Sequence, residues 1–311
     1  MKQAIIDIGS NSMRLTLYEI DGTSFRILFK EKFMAGLARY VESDILSAEG
    51  IERAYTGLLN FRETLEALDI KNVAVFATAS LRNIKNTEEA LTAIKIATGY
   101  SVEIISGESE ALLGYTGAMQ EISLADGAFI DIGGGSTEIV SFENGQPLSS
   151  ASFHVGSLNL YRECVKKIMP GNGSLKRIQK TLTNEIDKKS LFTFDKRSPL
   201  ICVGGTARAV LKIAGKLYDL PPGCRTVSKA QFNDMCALLC KGNRAAADIV
   251  LKLEPDRIHT IVPGLMIMKH IFQLFNSDKI IVSKYSVREG YLCQKLLQTN
   301  KTDICIPKIE S

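Results

Sequence analysis

Tryptophan is absent from the sequence, and histidine occurs only at His154, His259 and His270, each scattered among apolar neighbours. That scatter offers no histidine-rich metal centre and leaves the three rings as structural residues. Paired thiols are missing as well. The seven cysteines, Cys164, Cys202, Cys224, Cys236, Cys240, Cys293 and Cys305, form an odd set without a CxxC motif, most of them in apolar segments. A disulfide framework or a zinc knuckle needs paired ligands, so reduced, buried thiols are expected, including Cys236 and Cys240 one helical turn apart. No apolar run approaches the roughly 20 residues that span a bilayer. The first apolar run breaks at Asp7, which fits neither a signal nor a transit peptide. The expectation is a cytoplasmic protein with no membrane partner. There is no dense basic run either, and the net charge of +4 suits an anionic ligand without pointing to nucleic acid. A hydrophobic share of 45% and 311 residues are enough for two folded lobes with cores of their own.

What is present is a repeat. Ala4-Ile5-Ile6-Asp7-Ile8-Gly9-Ser10-Asn11-Ser12 recurs as Ala128-Phe129-Ile130-Asp131-Ile132-Gly133-Gly134-Gly135-Ser136. Beyond the loop, Leu15, Leu17 and Glu19 align with Ile139, Ser141 and Glu143, and the copies close on Asp21-Gly22 and Asn144-Gly145. Such dipeptides favour the left-handed conformations of a tight hairpin. Each copy therefore reads as strand, glycine or serine loop, strand, tight turn, strand, one supersecondary unit used twice. The boundary between lobes is placed between Glu121 and Gly127, giving lobes 1–123 and 124–311, with a terminal helix able to pack back on the first lobe.

Further strands are expected at 73–78, 102–105, 200–203 and 279–283, from short apolar runs between turn signals. Helical spacing covers 51–68, 87–98, 176–187, 207–216, 229–240 and 263–275. Asn86 and Glu89 are placed to form a capping box, with Gly99 as a stop and Ser228 as a cap.

A glycine-rich bend after a buried strand lets backbone N–H groups converge on an anion. Gly133, Gly134, Gly135 and Ser136 form such a loop. Gly9, Ser10, Asn11 and Ser12 form its partner, with side-chain donors added. Gly204, Gly205 and Thr206 follow a third strand and open a helix, whose N-terminal amides also suit phosphate. Asp7 and Asp131 end the repeat strands, where a carboxylate beside phosphate is repelled unless a cation intervenes. Mg2+, which takes one or two carboxylates together with phosphate oxygens and water, resolves the conflict, with Glu138 as a further ligand. Arg82 follows the strand at 73–78 and carries a planar fork suited to phosphate. By pattern alone Glu110 reads as an exposed acid in a first helical turn.

Together these motifs resemble a known family. Asp7 to Ser12, Ala77-Thr78-Ala79-Ser80-Leu81-Arg82-Asn83, Ile105-Ser106-Gly107-Glu108-Ser109-Glu110-Ala111, Asp131 to Glu138 as DIGGGSTE, Gly204-Gly205-Thr206 and Arg288-Glu289-Gly290 are similar, in order, to the motifs of the exopolyphosphatase and guanosine pentaphosphate phosphohydrolase family. The resemblance covers nearly the whole chain. It implies an α/β, two-lobed actin-like fold, shared with sugar kinases and heat-shock ATPases, with the active site in the cleft between lobes. It also implies that Glu110, before the alanine of the SGxxEA motif, is the catalytic base, with Glu108 as the nearby decoy, and that Arg82 contacts the phosphate chain. The implied reaction is Mg2+-dependent removal of the terminal phosphate of inorganic polyphosphate or of guanosine pentaphosphate. A kinase and a non-catalytic polyphosphate or alarmone sensor are the rival readings, and a homodimer is compatible with the sequence.

Two departures from the family pattern stand out. Met34-Ala35-Gly36-Leu37-Ala38-Arg39 replaces an Arg-Leu-Gly segment, and Asn159 stands where short relatives carry an arginine, removing one phosphate contact. Long relatives continue into further helical domains where this chain ends, so an exo-acting, distributive enzyme active on short polyphosphates is expected.

Overall fold

The computed structural model describes residues 1–187 and 199–297; Cys305 lies outside the described residues. The chain divides into two compact units, Met1–Glu121 with Val287–Ser311, and Ile122–Ser286. Each has its own hydrophobic core.

In the first unit, strands β1 (Lys2–Ile8), β2 (Met13–Asp21) and β3 (Ser24–Phe33) form an antiparallel meander. A two-stranded flap, β4 (Val41–Glu42) with β5 (Ile45–Leu46), follows. Strands β6 (Val73–Ala77) and β7 (Glu103–Ile104) then add in parallel, in the order β3-β2-β1-β6-β7. Ala4, Ile5, Ile6 and Ile8 of β1 are buried on both faces, as a central strand covered by helices demands. The helices are α1 (Ala48–Ala67), α2 (Ala79–Arg82), α3 (Thr87–Thr98) and α4 (Gly107–Met119).

The second unit repeats the plan. β8 (Gly127–Ile132), β9 (Thr137–Glu143) and β10 (Gln146–Phe153) form the meander. β11 (Leu200–Val203) and β13 (Lys279–Val282) add in parallel, with the short β12 (Thr226–Ser228) antiparallel at the edge. Helices α5 (Ser157–Cys164), α6 (Asn172–Glu185), α7 (Gly204–Leu217), α8 (Lys229–Leu239), α9 (Arg244–Leu253) and α10 (Ile261–Leu274) accompany them. The chain then contributes α11 (Val287–Tyr291) and a π-helical turn, Leu292–Leu296, to the first unit. A three-stranded meander extended by parallel strands, once in each unit, is the actin-like α/β arrangement that the motifs implied. Among the described residues, no helix is long and apolar enough to cross a membrane.

Local expectations fared unevenly. Ser228 caps α8 in a full capping box with Gln231, and Gly99 closes α3 at φ 75°. The Asn86 and Glu89 box does not form. The Asn86 side chain accepts from the Leu46 amide and donates to its carbonyl, so the flap outcompetes the local cap. Asn144 and Gly145 both have positive φ in the second hairpin, whereas the first turns on Gly22-Thr23, one residue later than expected, with positive φ at Gly22 alone.

Candidate active site

The two repeat loops are built by the same device. Each pinches its first glycine against a carbonyl three residues on: a Cβ at Gly9 would lie 3.0 Å from the Ser12 oxygen, and one at Gly133 would lie 3.2 Å from the Ser136 oxygen. Each loop is then tied from behind by the segment that follows its third strand. In the first unit, the Ala38 and Gly36 amides donate to Ser10 and Asn11 carbonyls, both at 2.9 Å. In the second, Ser157 donates to the Gly133 carbonyl from its amide and its hydroxyl, at 3.0 and 3.1 Å. The Leu158 and Asn159 amides reach the Gly134 carbonyl, and the Asn159 side chain reaches that of Gly135.

These ties orient the loops. In a trans peptide the C=O and the next N–H point in opposite directions. Carbonyls held by α5 therefore turn the amides of Gly134, Gly135 and Ser136 away from it, in the manner of an anion-binding nest. Asn159 serves here as a loop tether.

Beside the second loop, Asp131 and Glu138 occupy one rung of the β8–β9 pair. Glu138 is 1% exposed and accepts a hydrogen bond from the Ser152 hydroxyl at 2.8 Å. Like charges directly opposite one another destabilise a sheet unless a cation offsets them. Carboxylate oxygens of this kind are the hard donors that Mg2+ shared with phosphate would take. Among the described residues no three His, Cys, Asp or Glu side chains gather into a complete metal cage, and Mg2+ shared with phosphate requires none.

Asp131 also touches the third loop. Gly204, at φ 85°, opens α7 with its Cβ position 2.5 Å from Asp131 Oδ1, so a side chain there is excluded on both counts. At Gly205 the place of a side chain is filled by the Arg257 guanidinium. Burial pulls Arg257 below its ordinary pKa, opposed by the charges of Glu254 and Asp256, and its Nε lies 3.7 Å from Glu254. This arginine was missed in the sequence because its partner glycine is remote along the chain. The Thr206 side chain packs against Gly264 of α10. Cys202 lies beneath, its thiol pushed well up by burial and then by the Asp131 charge.

In the first unit, Glu110 and Arg82 meet. Glu110 Oε2 accepts from Arg82 Nη1 at 2.7 Å, and the same nitrogen reaches the Ile105 carbonyl at 2.9 Å. Ser106 caps α4 by accepting from the Ser109 amide, which sets the helix start. That register buries Glu110 to 8% exposure and leaves Glu108 exposed, separating the two acids that sequence placed side by side. The exposed reading of Glu110 was wrong, because its helix turns it onto Arg82. The helix that ends in Arg82 is fastened to the first loop by the Ser80 hydroxyl, which donates to the Ile8 carbonyl at 2.6 Å. Asp7 accepts from Arg288 Nη1 at 3.0 Å.

None of the six described cysteines is in a disulfide; four are buried, with Cys224 and Cys240 partly exposed. His270 is held by Gln179 and Asp187, His259 packs against Tyr161 with the rings tilted by 45°, and His154 is exposed.

Comparison with known proteins follows the same lines. The model of the Ppx/GppA phosphatase family matches residues 16–299. Exopolyphosphatase 1 of Mycobacterium tuberculosis is 22% identical over 95% of this chain and 88% of its own. A guanosine-5'-triphosphate,3'-diphosphate pyrophosphatase of Pseudoalteromonas translucida is 28% identical over 97% of this chain but 60% of its own, longer length. The crystal structure of an exopolyphosphatase from Cytophaga hutchinsonii superposes with a TM-score of 0.85 at 23% identity, covering 97% of this chain and 100% of that one.

Proposed function

The chain belongs to the Ppx/GppA phosphatase family, and we propose that, within these phosphoanhydride hydrolases, it removes the terminal phosphate of inorganic polyphosphate with Mg2+ and with Glu110 as general base. The observation that carries this reading is the pairing of buried Glu110 with partly buried Arg82. A polyanion resists attack by neutral water, so a carboxylate must orient the water and take its proton. Before substrate arrives, Arg82 holds that carboxylate in place. A terminal phosphate brought to Arg82 competes for its planar fork, and transfer of the guanidinium to phosphate leaves Glu110 to accept from water.

Glu110 then takes the proton as the water oxygen bonds to the terminal phosphorus and the bridging P–O bond opens. The products are orthophosphate and a chain one unit shorter. Backbone amides of Gly9 to Ser12 and of Gly133 to Ser136 hold phosphate oxygens, and the Gly204–Gly205 helix start with Arg257 adds a cationic contact. Asp131 and Glu138 in the second unit, and Asp7 in the first, are the carboxylates that would be available to Mg2+. When bound, the metal offsets phosphate charge and polarises the bond that breaks. A cytoplasmic location belongs to the same reading.

Guanosine pentaphosphate is the second reading, favoured by the likeness to the Pseudoalteromonas enzyme. Phosphate release from short polyphosphate, long polyphosphate and guanosine pentaphosphate, measured in parallel with Mg2+, decides between them. Release from the nucleotide alone would replace the first reading with the second. Release from none would leave the sensor.

A further inference from the structure

The last described segment, Val287–Leu297, touches the elements that carry Asp7 and Glu110 and the strand that leads to Arg82. Arg288 pairs with Asp7 at the end of β1. Glu289, fully buried, accepts from the Tyr18 hydroxyl of β2 at 2.8 Å. Gly290 lies so close to the Leu113 carbonyl of α4, one turn beyond Glu110, that a Cβ there would overlap it. Tyr291 stacks on Phe76 of β6, the strand leading to Arg82, and donates to Glu103 of β7 at 2.7 Å. Gln294, in the π-helical turn, donates to Thr116 of α4 at 2.6 Å.

Stability alone is a poor explanation for this arrangement. A buried ion pair pays desolvation on both charges and is often no more stabilising than apolar packing. Arg288 adds a further cost, since its Nε is buried without a hydrogen-bond partner. Such a cost persists where geometry at a site depends on it. Isolated π-helical turns also concentrate at functional sites.

We propose that Val287–Leu297 is a clasp and that Arg288 is a positioning residue for Asp7. By engaging Oδ2, Arg288 fixes the rotation of the carboxylate at the mouth of the first loop and restricts it to one-oxygen contact with a cation. Tyr18 holds Glu289 by a hydrogen bond, and the charges of Glu289 and Asp7 both favour the Arg288 guanidinium against its burial. This inference rests on the assignment of Asp7 to the Mg2+ site.

The test is Mn2+ binding to the full chain, followed by the loss of the free-ion electron paramagnetic resonance signal, with thermal midpoint and kcat and KM recorded beside it. Arg288→Lys keeps the charge and loses the fork. It should weaken Mn2+ binding at least fivefold and lower kcat at saturating polyphosphate, with KM for polyphosphate within twofold of wild type. A purely structural role would lower the thermal midpoint and leave Mn2+ affinity in the folded fraction unchanged, and that result would overturn the clasp. Asp7→Asn separates the two levels. If it weakens Mn2+ binding while Arg288→Lys does not, the clasp alone fails. If neither changes binding, the assignment of Asp7 fails and takes the clasp with it. Should Arg288→Lys not fold, Tyr18→Phe, which removes one oxygen, carries the test: at least twofold weaker Mn2+ binding supports the clasp, and unchanged binding overturns it.

Discussion

The two loops descend from one plan yet are secured differently. The loop of the second unit is tied by five donors, three amides of α5 and the side chains of Ser157 and Asn159. The loop of the first unit is tied by two amides, of Gly36 and Ala38. Around the first loop stand two ion pairs, Arg288 with Asp7 and Arg82 with Glu110, and one neutral hydrogen bond from Ser80 to the end of β1. A loop held by peptide groups is a fixed receptor. A loop surrounded by ion pairs can exchange partners when a polyanion arrives. Under the proposed function, the proton chemistry falls to the first unit, and the more firmly tied phosphate loop lies in the second.

The largest effect should fall on the first unit. Glu110→Gln should lower turnover roughly a hundredfold or more, as loss of a general base does, while calorimetry still detects polyphosphate binding. Turnover within a few-fold of wild type would move the base elsewhere. Next, Asp131→Asn should raise the Mg2+ concentration for half-maximal rate by roughly tenfold or more, and chelation of the wild type should abolish turnover. An unchanged Mg2+ titration would take Asp131 out of the metal site.

Smaller effects sharpen the contrast between the loops. Gly156→Ala would drive a Cβ into the Gly134 carbonyl and should destabilise the second unit by about 1–3 kcal/mol, as overpacking does, which a thermal melt reads. Smallest, Asn159→Ala removes one tether. A net loss of about 0.5–1.5 kcal/mol at the loop should raise KM roughly two- to tenfold with kcat nearly unchanged. If KM does not move, the five ties are redundant and the loops differ less than their hydrogen bonds suggest.

Much of this design was legible before the structure. The meander and both loops follow from alternation, glycine and turn dipeptides, which act over a few residues, and the repeat showed them twice. What stayed hidden depends on partners far along the chain. Glu110 looked like any acid at a helix start, because helical periodicity cannot show Arg82 arriving from another element. Arg257 had no local mark at all, since the glycine that makes room for it opens a different helix. Asn86 carried a correct local signal that a tertiary contact overrode. The departure at Asn159 was visible in the sequence, but its use as a tether was not.

Under the proposed function, water activated by Glu110 attacks the terminal phosphorus. Hydrolysis of short polyphosphate in 18O-enriched water, with the products resolved by mass spectrometry, tests it most directly. The account predicts one 18O in each released orthophosphate and none in the shortened chains. Label at the new chain end, or unlabelled phosphate passed to another acceptor, would contradict it.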